Sequence, residues 1–198
     1  MRQRRSFMVD AALNLAGWIR GRYPYAILDP LTHLKLQKLA FYCYGAALAF
    51  ERDGSIGRVD FEPWDHGPVN PKVFRELRDY KGNPLPPVSG PGVSYDPPTE
   101  ALLSDVLRVY GVLDAWKLRQ QSHLEAPWID AYRREAQVIP LEEIREHFVR
   151  KFRSGRVQTP EYLFDLGSFG LDGIPVRSAH ASLQELARFV GRTVGASG

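Results

Sequence analysis

Residues 39–50 (LAFYCYGAALAF) form an unbroken run of 12 positions with no charged side chain. A helix built from this run is apolar on every side, so other elements must enclose it. It is too short to cross a bilayer, which takes about 20 such residues. The expectation is therefore a core helix wrapped by amphipathic neighbours. Thr32 is a suitable N-cap for it, and the helix is expected to reach about Arg52. Its start reads as amphipathic, with Lys35, Gln37 and Lys38 among leucines.

The wrapping helices are legible from their apolar spacing. A first helix over about 7–22 places Val9, Ala12, Leu13, Ala16 and Ile19 on one stripe. The alternation in 56–62 (Val59 and Phe61 against Arg58, Asp60 and Glu62) allows one short strand. Asn70 followed by Pro71 is a strong helix start, with Val73, Phe74, Leu77 and Tyr80 expected inward. Further helices are expected from Thr99 to about 113, from Asp114 to Gln121, from Pro127 with Trp128, Ala131 and Tyr132 inward, and from Pro140. The last of these has a clean stripe of Leu141, Ile144, Phe148 and Phe152, and charges at both ends that suit the helix dipole.

Residues 82–98 hold six prolines and three glycines in 17 positions, which rules out a helix and favours an extended surface strap. Residues 154–180 are rich in Gly, Pro and Ser yet carry Tyr162, Phe164, Phe169 and Ile174, and a final helix is expected from Ser182 to about 194. The organisation expected is a mainly α, compact multi-helix domain over 1–153 with at most one or two short strands. A C-terminal extension over 154–198 ends in a helix.

Charge and cysteine content limit the function classes. The formal net charge is +3, but residues 1–22 hold five arginines against one acid, a net of +4, so the remainder sums to −1. A basic arm on a nearly neutral body is poor material for a nucleic-acid groove. The single cysteine, Cys43, excludes an internal disulfide and sits among aromatic side chains as packing. The basic start is not followed by a signal-peptide pattern, so a cytoplasmic location is expected.

The segments 31–45 (LTHLKLQKLAFYCYG) and 63–82 (PWDHGPVNPKVFRELRDYKG) resemble the Panacea domain, the SocA-like, phage-associated antitoxin family. The matching positions are Lys35, Leu36, Gln37, Lys38, Leu39, Phe41 and Tyr42, then Trp64, Gly67, Pro68, Val69, Pro71, Val73 and Phe74. Residues 110–132, with their Ser-His-x-x-x-Pro-Trp block, and 138–148 (VIPLEEIREHF) extend the resemblance, which covers 31–148. His66 departs from the Lys or Arg common in relatives. The resemblance implies a helical domain that neutralises a cognate toxin protein by direct contact and, in the SocA branch, delivers it to the ClpXP protease.

The candidate partner-binding residues are Trp64, Asp65, His66, Gly67, Pro68, Val69, Trp116, His123 and Trp128. Each also has a structural reading. Gly67 and Pro68 shape a turn, Trp116 and Trp128 fall on inward faces, and Ser122 and His123 bond to backbone ends between two short helices. Asp65 and His66 lack a nucleophile in a glycine elbow, which argues against a His-dependent hydrolase. His123 and Glu125 do not make a zinc site, because the remaining ligands are missing. No catalytic residue, metal or cofactor is expected, nor a nucleic-acid or membrane partner. The second-ranked function is a nucleic-acid-binding transcriptional regulator resting on the N-terminal arginines and the basic helix end at 150–156.

Overall fold

The computed structural model describes residues 10–26, 28–88, 92–153, 157–158 and 163–164. The basic arm and most of the C-terminal extension, including the expected terminal helix, lie outside the described residues. Within them the fold is mainly helical.

Helix α2 (His33–Ala49) is the central element. Thr32 caps it through Lys35 N at 3.3 Å. Around it pack α1 (Ala11–Arg22), α5 (Pro97–Tyr110), α6 (Ala115–Ser122) and α8 (Leu141–Arg153). Every residue of 35–49 is buried, as the apolar run requires. Aromatic rings fill the seam with α8 and α5. Phe148 packs edge-on against Phe41 and Tyr42, and Tyr42 stacks on Tyr110 with centroids 4.1 Å apart.

Several boundaries differ from expectation. Helix α1 starts after Asp10, whose carboxylate accepts from Ala12 N at 2.9 Å, so this residue begins the helix rather than interrupting it. Residues 53–56 form a one-turn helix, α3 (Asp53–Ile56), and the strand lies further on. It is β1 (Glu62–Trp64), which pairs antiparallel with β2 (Gly67–Val69), and β2 leads directly into α4 (Pro71–Leu77). The alternation in 56–62 failed as a guide because Val59 and Phe61 are buried in the core from irregular backbone. A second antiparallel pair, β3 (Val157–Gln158) and β4 (Leu163–Phe164), follows α8. Helix α5 starts at Pro97, two residues early, because Asp96 and not Thr99 is the cap. Tyr80 is 37% exposed, since α4 tightens into a 3₁₀ turn at 78–80 and rotates the ring off the inward stripe.

The proline-rich segment is a strap fastened at several points. Leu85 is buried and its N–H donates to Leu31 O at 2.8 Å, while Arg20 grips Pro86 O. Chain order and packing together bring the β1–β2 hairpin and α6–α7 (α7 being Ala126–Arg133) to one side of α2.

Candidate functional site

The polar residues at the start of α2 do not face solvent. Lys35, Gln37 and Lys38 are 0–2% exposed, which corrects the amphipathic reading of this turn. Gln37 and Lys38 are the mount for the hairpin, while Lys35 Nζ is buried without a hydrogen-bond partner. Gln37 brackets Asn70, accepting from its N–H at 2.9 Å and donating to its carbonyl at 3.2 Å. Asn70 in turn caps α4 through Lys72 N and Val73 N, both 3.0 Å from its side-chain oxygen. Lys38 Nζ donates to Pro68 O at 2.9 Å. These side chains satisfy backbone groups that a short buried hairpin would otherwise leave unpaired. Burial, with Arg119 nearby, pulls the Lys38 ammonium down to about 7. Lys35 is brought to about 8, also chiefly by burial, and its ammonium lies 5.2 Å from the centre of the Tyr23 ring.

Gly67 is the pivot of the turn. Its φ is +91°, and a β-carbon there would come within 2.5 Å of Ser122 Oγ and 2.9 Å of Lys38 Nζ. Only a residue without a side chain meets both conditions. Pro68 and Val69 are buried beside it in β2, so they are supports and not exposed contacts.

The tip of the hairpin is held from α6 and α7. Trp128 Nε1 donates to Trp64 O at 3.1 Å, and Tyr132 Oη donates to Asp65 Oδ1 at 3.0 Å. Arg119 donates from Nε to His66 Nδ1 at 3.1 Å and from Nη2 to Asp65 O at 3.2 Å. His123, Trp128 and Tyr132 form a continuous stack, with centroids 4.1 Å and 4.9 Å apart. Burial lowers the His123 pKa, and the nearby Arg119, Lys38 and His66 add to the effect, so the imidazole in this stack is neutral at pH 7. The Trp64 indole packs edge-on against Phe74 and donates to Glu62 Oε2 at 2.7 Å.

The outer surface of this assembly is aromatic and apolar. Trp116 is 63% exposed, Leu124 65% and Tyr132 43%. Trp116 and Tyr132 therefore depart from the inward positions expected of them. Helix α6 turns Leu118 and Ser122 to the core, which carries position 116 outward, and the Tyr132 hydroxyl reaches out for Asp65. Trp128, at 8%, does face inward. Ser122 Oγ bonds to Arg119 O as expected of a helix end, and His123 closes the same end through its backbone N–H on Arg119 O at 3.1 Å, while its ring Nε2 is buried without a hydrogen-bond partner and the ring is committed to the stack.

The structure thus joins Trp64, Asp65, His66, Gly67, Pro68, His123 and Trp128 into one unit, with Trp116 at its edge through Arg119, whose guanidinium carbon lies 5.8 Å from the indole centre. Arg119, Leu124 and Tyr132 were absent from the expected site. All three fall within the motif-bearing block 110–132, but none of them is one of its motif positions, and an exposed side chain in a short helix carries no local signal of its own.

Among the described residues, no group of three or more His, Cys, Asp or Glu side chains converges to hold a metal, and no helix is long and apolar enough to cross a membrane. A recess between α2, α5 and α8 is lined by Ala46, Phe50, Leu102, Val109 and Phe152; at its rim Asp105 pairs with Arg108 at 3.0 Å. No family model, no curated protein and no solved structure matches this chain.

Proposed function

We propose that this protein is an antitoxin of the Panacea type that neutralises a cognate toxin protein by binding it through the hairpin–α6–α7 face. The observation carrying the proposal is the exposure of Trp116, Leu124 and Tyr132 around a hairpin tip that three side chains hold in place. Large aromatic and aliphatic groups left in water lower their free energy by being covered, and aromatic anchors on a rigid frame are where binding energy concentrates. The rigidity matters because few rotamers remain to be ordered on binding. The resemblance of 31–148 to the family supplies the class of partner and extends the proposal to delivery of the toxin to ClpXP.

Co-expression with the product of the adjacent gene tests this directly. Growth arrest by that product alone, rescue by this chain, and a purified complex burying more than about 1,000 Å² are the expected results. A harmless neighbour, or rescue that survives Trp116→Ala combined with Leu124→Ala, refutes it. The delivery step is tested separately by the half-life of the toxin in cells with and without ClpXP.

A further inference from the structure

We propose that the Trp116–Arg119 edge of this face receives an acidic, apolar peptide segment of the partner, with a partner carboxylate on Arg119 and a neighbouring large apolar side chain on Trp116. The proposal rests on the binding role given above and adds the chemistry of what is bound.

Charge complementarity is the first argument. Among the described residues, no carboxylate lies within ion-pair distance of Arg119 or Lys117, and Arg119 is the one of the two fixed in place by hydrogen bonds to the hairpin. The acids nearest to Arg119 are engaged elsewhere. Asp65 accepts from Tyr132 Oη, and Asp114 accepts from Lys117 N at 2.7 Å as the cap of α6. Arg119 is oriented by a ring nitrogen and a backbone carbonyl, His66 Nδ1 and Asp65 O, through Nε and Nη2. A guanidinium held in position without a carboxylate partner keeps the Nη1 side of its fork for an incoming carboxylate.

The second argument is the neighbour. The Arg119 guanidinium lies against the Trp116 ring, and the indole and Leu124 are both mostly exposed. A ligand that pairs with Arg119 therefore meets apolar surface at once, so its next side chain gains by being apolar. A nucleic-acid backbone fits less well, since two cations on a single turn of α6 form no stripe of positive charge.

Panning the full chain against a random 12-residue peptide display library tests the proposal. Enriched peptides are expected to carry Asp or Glu beside Leu, Phe or Trp. Synthetic copies followed by fluorescence anisotropy should lose at least tenfold in affinity on Trp116→Ala and on Arg119→Ala, and severalfold on Lys117→Glu, which touches no part of the hairpin; unfolding midpoints of all three variants establish that they fold. Enrichment of basic or uncharged peptides, binding indifferent to Trp116→Ala and Lys117→Glu, or no enrichment at all would overturn the proposal. So would tighter binding of a 20-nucleotide single-stranded DNA, or self-association that Trp116→Ala abolishes. Toxin rescue with no acidic preference leaves the antitoxin reading intact and removes only this one; acidic peptides bound without toxin rescue do the reverse.

Discussion

A β-carbon on Gly45 would sit 2.3 Å from the ring of Phe148, so this position in α2 is closed to any other residue unless α8 moves away. Gly45→Ala should cost about 1–3 kcal/mol through overpacking, less the smaller gain in helix propensity, and a urea midpoint measures it. Gly21 in α1 is the internal control. Nothing lies within 4 Å of a β-carbon there, so Gly21→Ala should stabilise by about 0.5–1 kcal/mol. Gly67→Ala differs from both, because it combines a positive φ with contact on Ser122 and Lys38. It should cost about 1–3 kcal/mol and release the hairpin tip, lowering stability and, under the function proposed above, affinity for the partner. Trp116→Ala should separate the two effects. An exposed residue changes stability by about 0.5 kcal/mol or less, whereas a binding anchor costs about 2 kcal/mol of affinity.

At the scale of elements, α7 and α8 are joined to α2 by a buried ionic cluster. Glu125, 3% exposed, takes hydrogen bonds from Tyr42 Oη at 3.0 Å, His147 Nε2 and Lys151 Nζ. Burial pushes its pKa up, but the bonds and charges of His147 and Lys151 outweigh this, so the net direction is down. A carboxylate depressed in the folded state stabilises the fold at pH above its ordinary value of 4.5, and that contribution fades as pH falls below it. Glu125→Ala leaves the Lys151 ammonium mostly buried without its carboxylate and takes the acceptor from Tyr42 and His147, and should cost about 3–5 kcal/mol at pH 7, measured by denaturant unfolding. Helix α6 turns only Leu118 and Ser122 fully inward, yet it packs along α2 and grips the hairpin through Arg119.

For the whole molecule, the buried titratable groups predict the pH of greatest stability. Lys38 and Lys35 are depressed to about 7 and about 8 from an ordinary 10.5. Between those values the unfolded chain binds more protons than the folded one, so stability rises with pH from neutral toward 10. Burial raises Cys43, Tyr42 and Tyr110 above their ordinary 9.0 and 10.0, so above this range the unfolded chain gives up protons first and stability falls. Thermal unfolding from pH 6 to 11 should therefore show a maximum near pH 9. Lys38→Met should flatten the rising limb, and a limb unchanged in that variant would show that Lys38 keeps its ordinary proton affinity.

What the amino-acid sequence determined by itself was the identity of the core and most of the helix starts. An uncharged run of 12 residues can only be enclosed, and Asn70–Pro71, Asp114 and Pro140 act on backbone within a single turn, so their effect is readable without knowing what packs nearby. The burial of Lys35, Gln37 and Lys38, the outward turn of Trp116, and the meeting of Glu125 with His147 and Lys151 were decided only in three dimensions. Solvation of a side chain depends on which distant segment covers it: Lys38 meets a carbonyl 30 positions away, and Tyr42 a carboxylate 83 positions away. Amphipathic spacing specifies one face of a helix against one neighbour, whereas α2 is enclosed on every side, and Gln37 and Lys38 found backbone partners where spacing predicted water.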